Sequence, residues 1–103
     1  MKTIAIPALS ALRKMGQDIA DARRRRRITM ALLAERAGVL PKTLSKIEHG
    51  DPSVSMGGYV SVLFALGLVD RLKDVADAGY DKVGRALEEE HLPKRVRLPK
   101  NRG

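Results

Sequence analysis

Four polar side chains close together in the sequence could donate hydrogen bonds from one side of a short helix. They stand at positions i, i+3, i+4 and i+7, which a helical backbone brings onto one face, and they are Lys42, Ser45, Lys46 and His49. The apolar Leu44 and Ile47 fall on the opposite face. Lysine can donate to O6 and N7 of guanine, and serine can serve most bases. The spacing therefore suits the edges of base pairs, although an arbitrary pair of helical lysines is more often a solvated face.

The charge of the whole chain favours a polyanionic partner. Lys and Arg number 20 against 12 Asp and Glu among 103 residues, so the formal net charge is +8. Such an excess attracts nucleic acid, but ribosome-associated and membrane-surface proteins share it. Aromatic residues make up 3% of the chain, which argues against a base-stacking platform for single strands or RNA.

Enzymatic chemistry finds little support in the sequence. Cysteine is absent, His49 and His91 stand alone, and no Gly-rich phosphate loop or metal-ligand spacing occurs. We therefore expect no catalytic site, no cofactor and no metal. The lack of cysteine suits a cytoplasmic protein associated with the nucleoid. Residues 60–69, the longest near-apolar stretch, have about half the length that a bilayer demands, so no membrane partner is expected.

Helix start and stop signals predict the elements that carry the polar face. A first helix is indicated by apolar residues at spacings of three and four from Leu12 to Ala22. Thr29 can cap a second helix over residues 30–37, which Gly38 ends. Pro41 suits the first turn of a third helix, which ends before Gly50. A helix, a tight turn containing glycine and a second helix are thus predicted.

The rest of the chain completes an all-α, five-helix prediction. A fourth helix has an apolar stripe from Tyr59 to Leu66, with Ser53 or Ser55 as its cap. A fifth is expected over residues 70–77. We divide the chain into an N-terminal arm (1–10), a helical domain (11–78) and a C-terminal extension (79–103), where residues 83–87 could form a short extra helix and residues 95–98 alternate like a strand.

Five consecutive arginines, residues 23–27, follow the first helix directly. They point in all directions around a helix, so two or three at most can face one DNA backbone. Arg24, Arg26 and Arg27 are the candidates for phosphate contacts. The alternative is structural, because cations at the C-terminus of a helix are favoured by its dipole.

Residues 15–66 contain a series of short motifs at fixed spacing through the first three predicted helices. They are Met15-Gly16, Ile19, Arg23, Ile28-Thr29, Leu33-Ala34-Glu35, Ala37-Gly38-Val39, Thr43-Leu44-Ser45 and Glu48-His49-Gly50. This series resembles the pattern of the Cro/phage-repressor-like family of helix-turn-helix regulators, also called the XRE family. Four residues depart from the pattern. Met30 replaces a phosphate-contacting Gln, Leu40-Pro41 replaces a Ser cap and its polar neighbour, and Arg27 replaces a common Gly.

The resemblance implies roles for individual residues. The base-reading candidates are Lys42, Ser45 and Lys46, and the neighbours of phosphate are Thr43 and Ser53. Arg23 and Glu48 correspond to a pair that forms an ion pair between the first and third helices. We assign this pair to structure rather than to recognition.

The function implied is that of a dimeric transcriptional repressor that reads a palindromic operator in double-stranded DNA, with half-sites about 10 base pairs apart. The size, the loop 51–56 and the tail also resemble HipB-type antitoxins, which repress their own operon and bind a HipA-like kinase toxin. The alternatives are a phage-type regulator without a toxin partner, a toxin-neutralising module with incidental DNA binding, and a nonspecific nucleic-acid-coating protein.

Overall fold

The computed structural model describes residues 3–91, and all regular structure within them is helical. This confirms the all-α prediction. The α-helices are α1 (Ile6–Arg25), α2 (Met30–Ala37), α3 (Pro41–Glu48), α4 (Met56–Ala65) and α5 (Lys82–His91). Two 3₁₀ helices, Val69–Asp74 and Ala78–Tyr80, lie between α4 and α5 in the sequence. The strand-like residues 95–98 lie outside the described part of the chain.

The chain divides into two compact units, Met1–Val69 and Asp70–Gly103. In the first unit α2 packs against α3 and α4, and α1 packs against α3. The centre of this core consists of large side chains with almost no exposure to solvent. They are Ile19, Leu33, Leu44, Ile47 and Val62.

Helix α1 starts earlier than the sequence indicates. It begins at Ile6, within the stretch that we expected to be an arm, so residues 6–10 are helical. Pro7 lies in the first turn, where the missing N–H has no partner to lose and the fixed φ favours the helix. The apolar periodicity begins only at Leu12 because the side chains of the first turn lie in solvent, Ile6 being 80% exposed.

Local signals account for the ends of the next helices. The Thr29 side chain accepts a hydrogen bond from the Leu32 N–H at 3.1 Å and caps α2. Gly38 ends α2 in the left-handed conformation, at φ 71°. Of the two candidate caps for α4, Ser55 is the one that caps the helix, because its side chain accepts a hydrogen bond from the Gly58 N–H at 3.1 Å. Helix α3 has no side-chain cap, because Leu40 occupies that position.

The second unit differs from the prediction of a fifth helix over residues 70–77. A 3₁₀ helix covers Val69–Asp74 instead. Leu72 is only half-buried and Val75 is 71% exposed, so these side chains have no core that would stabilise a longer amphipathic helix. The predicted short extra helix is α5, whose Gly84 N–H donates to the Asp81 carboxylate at 3.0 Å. No described residue from 70 to 91 is buried.

Candidate nucleic-acid interface

The outward face of α3 is polar and positively charged. Lys42, Lys46 and His49 are exposed along its centre, and Thr43 and Ser45 are half-buried at its two edges. The opposite face carries the fully buried Leu44 and Ile47 of the core. Within residues 3–91 neither lysine takes part in a salt bridge. Both ammonium groups are therefore available to an anionic or carbonyl-bearing ligand. 

The imidazole of His49 is turned back onto its own helix. Its Nδ1 lies 2.7 Å from the carbonyl oxygen of Ser45. A carbonyl oxygen only accepts, so Nδ1 is the donor in this contact and Nε2 is left for a ligand. The exposed face of α3 thus offers ammonium donors along its length and an imidazole nitrogen at its C-terminal end.

Two glycines allow α1 and the end of α3 to approach closely. A Cβ on Gly16 would lie 2.5 Å from the Ile47 carbonyl oxygen and 2.7 Å from the Gly50 nitrogen. A Cβ on Gly50 would lie 2.5 Å from the Cα of Arg13, and Gly50 also has a φ of +70°. The backbones touch where no side chain fits. This crossing of α1 with α3 fixes the C-terminal end of α3 on its inner side.

A nearly buried ion pair ties the same helix end to the end of α1. Arg23 donates to Glu48 twice, from Nε to Oε2 at 2.7 Å and from Nη2 to Oε1 at 3.1 Å, and its Nη1 donates to the Ile28 carbonyl at 3.2 Å. The two side chains are 11% and 7% exposed. The hydrogen bonds with Glu48 raise the pKa of Arg23, and burial opposes this rise. This pair connects the end of α1 to the end of α3, and all three side-chain nitrogens of Arg23 donate within the protein.

The other arginines of the run stay on the surface. Arg24 lies 3.3 Å from an Asp21 carboxylate oxygen, a pair that is about half exposed. Arg26 donates from Nη1 to the Ala22 carbonyl at 2.8 Å and so satisfies the end of α1. Arg27 is exposed and takes a left-handed φ of 56°. Among these three candidates for phosphate contacts, Arg24 shares its charge with Asp21, and Arg26 also serves as a helix cap. Arg27 has the side chain least engaged by other described residues.

The loop after α3 is organised by Asp51. Its carboxylate accepts from the Ser53 N–H at 2.8 Å, and its carbonyl accepts from the Tyr59 hydroxyl at 2.7 Å. Hydrogen bonds from the backbone and hydroxyl of Ser53 lower the pKa of Asp51, and the charge of Lys46 acts in the same direction. Ser53, expected from the resemblance to be a phosphate neighbour, thus lies in a loop where its backbone N–H is held by a carboxylate.

Arg13 is a cation that the sequence analysis did not single out. Its backbone lies against Gly50 at the end of α3, and its side chain is exposed. Only the helix crossing brings it there. Arg13 and Gly50 are distant in sequence, and no local pattern connects them, so only the structure places this exposed cation near the C-terminal end of α3.

Tyr59 should make the protein less stable in alkaline solution. Burial raises the pKa of its phenol above the ordinary 10.0, and the charge of Asp51 adds to the rise. The phenol of Tyr59 therefore ionises at a lower pH in the unfolded chain than in the folded protein. Its contribution to the free energy of unfolding is fully present below about pH 10 and is lost as the pH rises through the folded-state pKa. Thermal unfolding between about pH 8 and pH 11 measures the effect. Tyr59→Phe should flatten this dependence, while Tyr80→Phe, at a 76% exposed position, should not; equal slopes in all three proteins would contradict the assignment.

Searches against protein families, curated proteins and solved structures find no match to this chain. Across residues 3–91, no group of His, Cys, Asp and Glu side chains is placed to hold a metal ion. None of the helices described there has the length and apolar character needed to cross a membrane. The fold and the site together define a small all-helical protein with a positively charged helix face.

Proposed function

We propose that this chain is a sequence-specific DNA-binding protein that reads the major groove with α3 and represses transcription as a dimer. The observation that carries the proposal is the outward face of α3, where Lys42 and Lys46 are exposed without a salt-bridge partner in the described chain. An α-helix with its side chains is about 10–12 Å across, and the major groove is about 12 Å wide.

The setting of α3 supports the same function. Helix α2 ends at Gly38 and α3 begins at Pro41, so the two are joined by a tight turn of the kind found in helix-turn-helix proteins. The glycine crossing and the Arg23–Glu48 pair hold α3 from its inner side. Side chains that read base edges need a rigid support of this kind. The net charge of +8 supplies the attraction to phosphate.

The operator is a palindrome in this proposal. A dimer presents two copies of α3 related by a twofold axis, and each reads a half-site about 10 base pairs from the other. Repression then follows from occupying the promoter. Arg13, Arg24 and Arg27 are the surface cations proposed to neutralise phosphates.

Fluorescence anisotropy tests this function directly. The purified protein is titrated onto the DNA fragment upstream of its own gene and onto a shuffled copy, across a salt series. We expect a preference of about a thousandfold for the native fragment, which lies within the range of specific regulators. Equal affinities for the two fragments that fall together with salt would show that the protein binds DNA through charge without recognising its sequence. This proposal would then be replaced by a nonspecific coating function.

The double variant Lys42→Ala/Lys46→Ala should lose specific affinity. Each good base contact contributes about 1–3 kcal/mol, so we expect a loss of at least about 2 kcal/mol on the native fragment and a much smaller loss on shuffled DNA. Lys14→Ala/Lys73→Ala removes the same charge from exposed lysines that pair with Asp18 and Asp70 and serves as the matched control. Equal losses in the two double variants would mean that the face of α3 acts only through charge.

A second candidate is a protein-binding function, that of an antitoxin that binds a HipA-like kinase. Helix α5 favours it, because Val83 and Leu87 lie one turn apart and are 73% and 53% exposed, and contiguous exposed apolar surface is typical of protein interaction sites. Co-purification with the product of a neighbouring kinase-like gene tests this role. Val83→Asp/Leu87→Asp should abolish co-purification, while Lys42→Ala/Lys46→Ala should preserve it; loss in both variants would contradict a separate partner site.

A further inference from the structure

Leu40 stabilises neither the core nor the helix that it precedes. Its side chain is 67% exposed, and as the N-cap of α3 it makes no side-chain hydrogen bond to the first turn. Thr29 and Ser55, at the corresponding positions of α2 and α4, both make such a bond. Leucine is among the poorest N-caps, and Ser, Thr, Asn or Asp would favour the helix. A residue that breaks a local rule without a folding gain is expected where function requires it.

The position of Leu40 is the leading end of the proposed recognition helix. The N-terminal residues of such a helix are those that contact base edges in the major groove. Pro41, the next residue, is also exposed and has no N–H, so the end of α3 presents an apolar surface of two side chains. Lys42 follows on the outward face. An apolar end beside an ammonium group suits a base pair that displays a methyl group next to a carbonyl oxygen.

We propose that Leu40 is a specificity-determining residue that contacts the C5-methyl group of a thymine in each half-site. This inference rests on the proposed function and extends it to one base. Thymine is the base that presents a methyl group in the major groove, whereas the others present only donors and acceptors there. The exposed lysines of α3 make the occupant a nucleic acid rather than an apolar protein surface.

The test removes the methyl group from the DNA and the side chain from the protein. A tight-binding duplex is selected from a random pool, and each thymine in turn is replaced by deoxyuridine, which lacks only the C5-methyl. The native protein should lose about fourfold in affinity per half-site at one such position, the effect of burying one methyl-sized group. Leu40→Ala should bind both duplexes equally. Ile6→Ala, which truncates another exposed apolar side chain in the first unit, should keep the fourfold difference.

A second variant separates recognition of the thymine methyl group from any effect on protein stability. Leu40→Asn should raise the thermal midpoint, because asparagine caps α3, and should also lose the sensitivity to the methyl group. A lowered midpoint would show that Leu40 supports the fold and would overturn the inference. So would specific binding by the native protein with no sensitive thymine, which leaves the proposed function intact. Absence of any selected duplex would overturn both the function and this inference.

Discussion

Glu48→Ala should lower the free energy of unfolding by about 3 kcal/mol or more. The substitution leaves the guanidinium of Arg23 nearly buried, at 11% exposure, without the carboxylate that accepts two of its hydrogen bonds. Removing one partner of a buried pair is far more damaging than losing a surface pair, because the remaining charge stays desolvated. Urea denaturation followed by circular dichroism measures the change as a shift in midpoint at constant slope.

A surface pair in α1 provides the control. Lys14 and Asp18 form a salt bridge whose side chains are 77% and 58% exposed, so Asp18→Ala should change stability by less than about 1 kcal/mol. Arg23→Ala should resemble Glu48→Ala in direction. If Asp18→Ala and Glu48→Ala had equal effects, the inner pair would contribute no more than a solvated one, and its proposed role in holding α3 would be wrong.

Gly50→Ala should destabilise the protein by about 4 kcal/mol, the sum of two effects. The new Cβ would meet the Cα and nitrogen of Arg13 and the carbonyl oxygen of Leu12 within 2.7 Å, and these are backbone atoms that cannot rotate away. The left-handed φ of +70° adds the strain that any residue with a Cβ experiences there. Thermal and urea unfolding measure the sum.

Gly67→Ala isolates the conformational part of that effect. Gly67 has a similar φ of +77°, but nothing lies within 4 Å of its Cβ position, so we expect a loss of only about 1 kcal/mol. The difference between the free energies of unfolding lost in Gly50→Ala and in Gly67→Ala gives the contribution of the close approach between α1 and the end of α3. Equal losses would mean that the helices can separate slightly at no cost, and the crossing would then not fix α3.

Much of the fold was predictable because its signals are local. Thr29 and Gly38 bound α2 through hydrogen bonds and a φ that depend on neighbours within a turn, and Pro41 starts α3 for a similar reason. The division of α3 into a buried face with Leu44 and an exposed face follows from spacing alone. Where a residue's partners are close in sequence, its type is sufficient to place it.

Other features depend on partners that are distant in sequence. Whether residues 70–77 form an α-helix depends on a surface to bury Leu72, and it is only half-buried there. The proximity of Arg13 to Gly50 depends on the crossing of α1 with the end of α3. The Arg23–Glu48 contact is also distant in sequence, and it was expected only because the family resemblance supplied the pairing.

The second unit has thermodynamic consequences of its own. Its ten-residue α5 has no buried side chain, and isolated helices shorter than about 12–15 residues are marginal in water. We therefore expect the helical content of α5 to follow a local helix–coil equilibrium, which shifts gradually with temperature rather than in one cooperative step. Heating the chain should therefore give a sloping loss of helix superimposed on a sigmoidal transition. In that case a single melting temperature would describe only the core of the first unit, and the helicity of α5 would be a population that temperature, salt or an apolar ligand changes.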